Sequence, residues 1–216
     1  MNVSEMIELI TEGIQDETWN DTYILNEINN TLIFVSGMVS LPGLISSATV
    51  SFLADDGTGI GDLPENFDHD LFEAWNTTYS QELTIRPSLK EMRRVYEGKR
   101  ATTGRIWDVA VEEPYLHAVY VPDVDQDVLV RYYAAPATLL LSSDGPTYIP
   151  AHLHRLVIVD HVLSKLWKLK EQDDDGQSPN TNYHTQQFSA GLEQLRRRFI
   201  HAPKAQPVMT RRVQYF

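Results

Sequence analysis

The amino-acid sequence predicts an α+β fold, because helical and strand-like patterns occupy different parts of the chain. Apolar residues recur three and four positions apart within residues 1–35 and again within residues 153–199. The segments between them are rich in β-branched and aromatic residues, and prolines and glycines separate these segments. We therefore expect helices at both ends of the chain and antiparallel strands in its middle.

Two helices are expected in the first 42 residues. The first covers residues 1–14, where one apolar stripe consists of Val3, Met6, Ile7, Ile10 and Ile14. Asn20 or Asp21 can cap the second helix, which ends between Gly37 and Pro42. The stripe of the second helix consists of Ile24, Ile28, Leu32 and Val35. Trp19 lies in the break between the helices and is expected to pack into the core at their corner.

Five strand-like segments and one short helix follow. The segments cover residues 46–53, 81–87, 106–113, 115–122 and 127–133. Short turns with proline or aspartate join the last three, which are therefore expected to form an antiparallel meander. Ser88 caps the short helix, which ends at Gly98. Two long helices are then expected: the first begins at Pro150, and the second follows a charged connection at residues 171–180.

Charge is distributed unevenly over the 216 residues, whose net charge is −12. Residues 1–85 contain fifteen Asp or Glu and no Lys or Arg, whereas residues 194–216 contain six Lys or Arg and no acid. Such a chain is poorly suited to hold DNA and better suited to pair with a neighbouring copy or a charged partner. The alternative is that the charges only solvate the surface. No apolar run reaches the roughly 18 residues of a membrane span, and the acidic N-terminal segment predicts no secretory signal.

No catalytic residue, cofactor or metal is predicted, and we do not expect an enzyme. The chain has no cysteine, and it contains none of the common nucleophile, phosphate-loop or zinc-helix motifs. The segment Asp55–Asp62 lacks the ligand spacing of a calcium loop and the lysine of a phosphate loop, so we expect a turn or a mobile loop. A metal-dependent hydrolase that uses His154 and His161, with Asp160, stays open as a less favoured alternative.

The segment after the last helix is basic and rich in apolar residues at its end. Two prolines interrupt it, and Val213, Tyr215 and Phe216 carry apolar side chains where a free tail would be polar. We expect residues 203–216 to form an extended arm that docks on a partner, by adding a strand or by filling a pocket. The alternative is an arm that folds back on its own domain.

Four short motifs stand in order along the chain. They are Leu63-Pro64-x-x-Phe67, Arg131-Tyr132-Tyr133-x-x-Pro136 at the end of the last strand, Ile149-Pro150 with Leu153-His154 at a helix entry, and Leu195-Arg196-Arg197-Arg198-Phe199. In order and spacing they resemble the head-to-tail adaptor (connector) proteins of tailed bacteriophages. The region 54–80 is longer than this resemblance leads us to expect.

The resemblance implies an architecture for the whole chain. It is a helical bundle, made of the N-terminal helix pair and two long C-terminal helices, with an inserted antiparallel β-rich region and an extended C-terminal arm. The adaptor domain would cover residues 1–202, with helices in 1–40 and 150–202 and the β-rich insertion in 44–136. The arm would cover residues 203–216.

The resemblance also implies a structural virion protein. Related adaptors form a ring, commonly a dodecamer, at the neck below the portal, where the ring extends the DNA channel and carries the tail. The expected partners are further copies of the chain, the portal, a tail or nozzle protein, and genomic DNA that passes during ejection without specific binding; no membrane is expected. The arm would dock on the portal through Arg211, Arg212, Val213, Tyr215 and Phe216. The protein would be made in the host cytoplasm, and another neck or tail-completion protein is the main alternative.

Overall fold

A computed structural model describes residues 1–16, 18–54, 56–96, 103–171 and 178–201. The chain divides into two compact units. The helical unit comprises Met1–Leu44 and the described part of Ala135–Ala202, and the β unit comprises the described part of Ile45–Ala134. Among the described residues, no helix combines the length and the apolar composition that a membrane crossing requires.

The helical unit begins with two helices that the sequence predicted, α1 (Val3–Ile14) and α2 (Asp21–Met38). Asn2 and Glu5 cap α1 reciprocally: the Asn2 side chain accepts from the Glu5 N–H, and the Glu5 side chain accepts from the Asn2 N–H. The Asn20 side chain caps α2 and accepts from the N–H of Tyr23 at 2.9 Å. The predicted apolar stripes of both helices are buried. The two predicted helices and their apolar stripes are confirmed, whereas Trp19, which was expected to pack into the core, is only partly buried.

The later part of the helical unit corrects the predicted fold class. Pro150 precedes a single 3₁₀ turn at Ala151–Leu153, and a π-helical turn follows at Arg155–Val159. Only then does a regular helix begin, α4 (Asp160–Lys170), and it has 11 residues. A run of β-branched residues in the π turn disfavours regular helix, because these side chains crowd the preceding turn. The prediction of a bundle with two long C-terminal helices is therefore wrong. The prediction that Pro150 begins a long helix is also wrong.

The last helix, α5 (Pro179–Arg198), packs closely against the π turn. Gly191 makes this possible, since a Cβ atom there would lie 2.6 Å from the Cβ of Leu156. Glu171, at the end of α4, holds the start of α5. Its carboxylate accepts four hydrogen bonds, from the backbone N–H groups and the side chains of Asn180 and Thr181. Burial alone would raise the pKa of the Glu171 carboxyl, but these hydrogen bonds lower it below the ordinary value.

The β unit contains two four-stranded sheets among its described residues. The first has the strand order β1–β8–β3–β4, with β1 (Ile45–Phe52), β3 (Phe67–Asn76), β4 (Gln81–Glu82) and β8 (Gln126–Ala134). The second has the order β2–β7–β6–β5, with β2 (Ile60–Asp62), β5 (Thr84–Arg86), β6 (Asp108–Glu112) and β7 (Tyr115–Ala118). The short helix α3 (Leu89–Val95) lies between β5 and β6 in the chain, and the predicted Ser88 caps it.

The predicted meander is correct only for its first hairpin, β6–β7. The third strand, β8, leaves that sheet and pairs along its whole length with β1 in the other sheet. The predicted β-rich region is also not entirely antiparallel, since β5 and β6 pair in parallel. Side chains from both sheets share one core, which includes Phe52, Leu71, Val109, Leu116, Val128 and Tyr132. Burial of β8 side chains in this shared core stabilises the pairing of β8 in the sheet opposite β6 and β7.

The sequence did not predict β3. This strand contains Asp68, Asp70 and Glu73, and acidic residues are uncommon in strands. Its pairing with β8 has two register shifts, and Asp70 has a positive φ of 50°. Such irregularities break the alternation of buried and exposed side chains by which strands are predicted. Together these findings give an α+β chain with five α-helices and two sheets in its described part.

Candidate interaction surfaces

The side chain of His154 is buried and hydrogen-bonded to the backbone. It is 3% exposed, and Nε2 lies 2.8 Å from the carbonyl oxygen of Ile149 and 3.1 Å from that of Pro146. Because both neighbours are acceptors, Nε2 carries the proton and donates to them. His154 therefore ties the loop before the 3₁₀ turn to the first residues of the following helical segment.

His161 lies between two aromatic rings of the helical unit. The ring of Phe34 stacks on it with a centroid distance of 5.1 Å, and the ring of Phe188 lies at 4.2 Å. Burial lowers the pKa of His161 to about 4, and the positive charge of Lys165 acts in the same direction. The ring is therefore neutral at pH 7, which suits its aromatic surroundings.

Asp160 is paired with a residue that the sequence did not suggest. Asp160 Oδ1 lies 2.7 Å from Nδ1 of His184 on α5. Burial raises the pKa of Asp160, and the hydrogen bond with His184 opposes this rise. His154, His161 and Asp160 thus each have separate partners. In the described ranges, no three His, Cys, Asp or Glu side chains are placed to hold a metal ion.

In the segment Asp55–Asp62, residues 56–58 form the predicted turn, whereas Ile60–Asp62 belong to strand β2. Gly57 and Gly59 both have φ of 63°, a conformation that favours glycine. At Gly59 a Cβ atom would also lie 2.8 Å from the carbonyl oxygen of Tyr120. Asp56 and Asp62 line an open cavity of about 420 Å³. The five predicted docking residues of the arm, Arg211, Arg212, Val213, Tyr215 and Phe216, lie outside the described residues.

Three large apolar side chains of α2 are exposed in the helical unit. Ile33, Phe34 and Met38 are 57%, 46% and 41% exposed, although Phe34 also stacks on His161. These residues lie in a stretch of the chain, residues 28–54, without any Asp, Glu, Lys or Arg. The sequence predicted only the stripe at Ile24, Ile28, Leu32 and Val35 and gave no expectation for these exposed side chains. The signal that could have indicated them was the presence of further apolar residues beside the stripe residues in the sequence.

Charge of opposite sign is exposed on two other helices. Glu5, Glu8 and Glu12 lie on the exposed side of α1, opposite its buried stripe. In the β unit, α3 buries Leu89 and Met92 and exposes Lys90, Arg93 and Arg94. The uneven charge of the sequence therefore appears at the surface as separate acidic and basic helix faces.

Aromatic side chains form a further exposed group in the β unit. The guanidinium of Arg105 lies 4.4 Å from the ring centroid of Tyr79 and 4.9 Å from that of Trp107. Trp107 is 47% exposed and Trp75 is 38% exposed. Tryptophan, tyrosine and arginine are the residues most enriched at the energetic centres of protein interfaces.

Exposed apolar, aromatic and charged side chains of this kind are candidate sites for contacts with other proteins. The chain matches the family model described as SU10 adaptor protein over residues 1–211, and it belongs to this family. It is therefore a bacteriophage adaptor protein, a structural component of the virion that interacts with other virion proteins. The resemblance to phage adaptors that the sequence motifs indicated is confirmed. Comparison with curated proteins gives no match.

Proposed function

We propose that this protein is the head-to-tail adaptor of its phage. It forms a ring below the portal, at the neck of the virion, which extends the DNA channel and provides the platform to which the tail attaches. The exposed apolar side chains of α2 are the observation that carries this proposal. Ile33, Phe34 and Met38 are exposed in a stretch without charge, and exposed apolar area supports a site that another protein covers.

A ring of identical copies also suits the charge distribution. Ring contacts are heterologous, because one surface of each copy meets a different surface of the next. Each copy must therefore carry two complementary surfaces. The acidic face of α1 and the basic face of α3 support a ring in this respect.

Genomic DNA would pass through this ring without specific binding. The chain has a net charge of −12, and its first 85 residues carry no Lys or Arg. Surfaces of the same sign as the phosphate backbone do not form the tight contacts that hold DNA in place. A channel with an acidic lining would therefore let the duplex slide during ejection.

The arm at residues 203–216 is proposed to dock on the portal. Its sequence supports this role, since it has basic Arg211 and Arg212 next to apolar Val213, Tyr215 and Phe216 and contains no acid. Apolar side chains would fill a pocket or complete a sheet edge on the portal, and the arginines would pair with acidic groups at its rim.

The proposal is tested by mixing the purified chain with the purified portal of the same phage and determining the mass and the negative-stain image of the product. We expect rings of the chain, or a portal that gains a collar of density. Deletion of residues 203–216 is expected to remove the collar. A full-length chain that stays monomeric and leaves the portal unchanged would refute the proposal.

A pair of variants tests the exposed apolar side chains of α2. Replacing Ile33 and Met38 with serine is expected to weaken assembly, because both apolar side chains are exposed in the single chain and would be covered in the ring. Serine at Leu169, an apolar residue of α4 that is 48% exposed, is the matched control and should leave assembly intact. Equal assembly of both variants would show that Ile33 and Met38 are not part of a contact.

A further inference from the structure

The basic face of α3 carries the described positive charges of the β unit that have no partner in the described chain. The other described cations of this unit are engaged: Arg86 bonds Asp108 at 2.6 Å, Arg131 bonds Glu73 at 2.9 Å, and Arg105 packs against Tyr79 and Trp107. In contrast, Lys90, Arg93 and Arg94 are exposed and form no ion pair with any described residue.

Glu8 and Glu12 of α1 also have exposed charges without a partner, and these charges are negative. Other acids near them in the sequence are used within the helical unit, since Glu5 caps α1, Asp16 lies 3.6 Å from Lys170, and Glu27 lies 3.1 Å from Lys165. Glu8 and Glu12 are exposed and have no ion pair within the part of the chain that the structure describes.

The two pairs match in spacing as well as in charge. Lys90 and Arg94 are four residues apart on α3, and Glu8 and Glu12 are four residues apart on α1, so about 6 Å along the helix separates the members of each pair. Like charges at this spacing destabilise a helix. A helix of opposite charge that lies alongside would relieve the repulsion in both helices at once.

We propose that neighbouring copies join through these helices, with Lys90 and Arg94 of one copy paired with Glu12 and Glu8 of the next. This inference rests on the proposed ring and names one of its contacts. The contact is heterologous, as a closed ring requires. Exposed Val95, at the end of α3, supplies apolar surface beside the charges. A second copy fits these cations better than DNA does, because a chain of net charge −12 repels the phosphate backbone.

A charge-swap experiment on the full chain tests the pairing. One variant carries Glu8→Lys and Glu12→Lys, a second carries Lys90→Glu and Arg94→Glu, and a third carries all four changes. Lysine, arginine and glutamate have similar helix propensities, and all four positions are exposed, so circular dichroism should show folded chains. The matched control carries Lys168→Glu and Arg196→Glu, exposed cations on α4 and α5.

Each two-site variant alone brings like charges together at every contact, so we expect the protein concentration needed for ring formation to rise at least about tenfold. An equimolar mixture of the two variants should form rings again, because each contact of an alternating ring joins opposite charges. The four-site variant should form rings by itself, with the polarity of the pairs reversed. The control should assemble like the unchanged chain.

The outcomes separate this inference from the proposed function. If the unchanged chain forms rings and the two-site variants form them equally well, the pairing is wrong while the ring stands. Rings that persist while the Lys90→Glu and Arg94→Glu variant loses salt-sensitive binding of duplex DNA would overturn the pairing in favour of a DNA contact. If the unchanged chain forms no ring, alone or on the portal, the proposed function itself fails.

Discussion

His161 makes the stability of the helical unit depend on pH in a way that one substitution should remove. The ring lies between Phe34 and Phe188, and burial lowers its pKa from 6.5 to about 4. In the unfolded chain the same ring is exposed and returns to the ordinary value near 6.5. Unfolding between these two values is therefore accompanied by the uptake of a proton.

The sign and the size of the effect follow from this difference. Between pH 6.5 and pH 4 the unfolded chain binds more protons than the folded chain, so the folded state loses stability as the pH falls. A difference of about 2.5 pKa units corresponds to a contribution of about 3 kcal/mol, at 1.36 kcal/mol for each unit. This destabilisation of the folded chain is nearly absent above pH 7, reaches about 3 kcal/mol at pH 4 and saturates below that pH.

Replacing His161 with phenylalanine keeps an aromatic ring in the stack and removes the titrating group. It also removes Nε2, which is buried without a hydrogen-bond partner among the described residues. The variant should be at least as stable as the unchanged chain at pH 7 and more stable by about 3 kcal/mol at pH 4. Other acid-sensitive groups, including Asp160, remain in both proteins, so the difference between the two isolates His161.

Urea denaturation followed by circular dichroism at several pH values between 7 and 4 measures the effect. Phenylalanine at exposed His152 is the control, and its free energy of unfolding should follow that of the unchanged chain at every pH. If the His161 variant shows the same pH dependence as the unchanged chain, the histidine is not buried between the two rings as described.

Two further predictions concern the way α5 is held. Alanine at Gly191 should lower the free energy of unfolding by about 1–3 kcal/mol, because its Cβ would lie 2.6 Å from Leu156. At Gly37, where nothing lies within 4 Å, alanine should raise the free energy of unfolding by about 0.5–1 kcal/mol. If urea denaturation shows the same change for the two alanine variants, the close packing of Gly191 against Leu156 is contradicted. Glutamine at Glu171 should lower the melting temperature at pH 7, because the carboxylate accepts hydrogen bonds from the start of α5. Since the pKa of Glu171 is lowered, its stabilisation is lost as the pH falls through the folded value, so the difference should vanish in strong acid.

The N-terminal helices could be predicted because local signals agree there. The apolar stripes repeat without interruption, and Asn2 and Asn20 stand where caps are needed. The later helical segment could not be predicted in the same way. Its apolar residues have helical spacing, and this spacing does not reveal the π turn. In the structure the π turn contains Leu156, which packs against Gly191, and the two residues are more than thirty positions apart in the sequence.

The strand pairing depended on contacts that are distant in sequence. Three successive strand patterns favour a meander, yet β8 pairs with β1, whose residues precede it by more than seventy positions. Burial of side chains in the core shared by the two sheets favours the observed pairing over a meander. No local sequence pattern shows which strands share that core. In β3, acidic residues and register shifts hide the strand altogether.

The interaction surfaces were predicted only in part. The sequence showed that acidic and basic residues are separated, and its short motifs indicated the adaptor family. It did not show which charges are free, because that depends on partners such as Asp108 for Arg86 and Lys165 for Glu27. The exposure of Ile33 and Met38 on α2 could not be predicted either, because it depends on how the helical unit packs.

Antibody labelling of intact virions tests the central claim most directly. Gold-labelled antibody against the purified chain, viewed by electron microscopy, should bind at the junction between head and tail, once tails are detached or the neck is exposed. Label confined to the capsid surface, the tail tip or the tail fibres would contradict a head-to-tail adaptor.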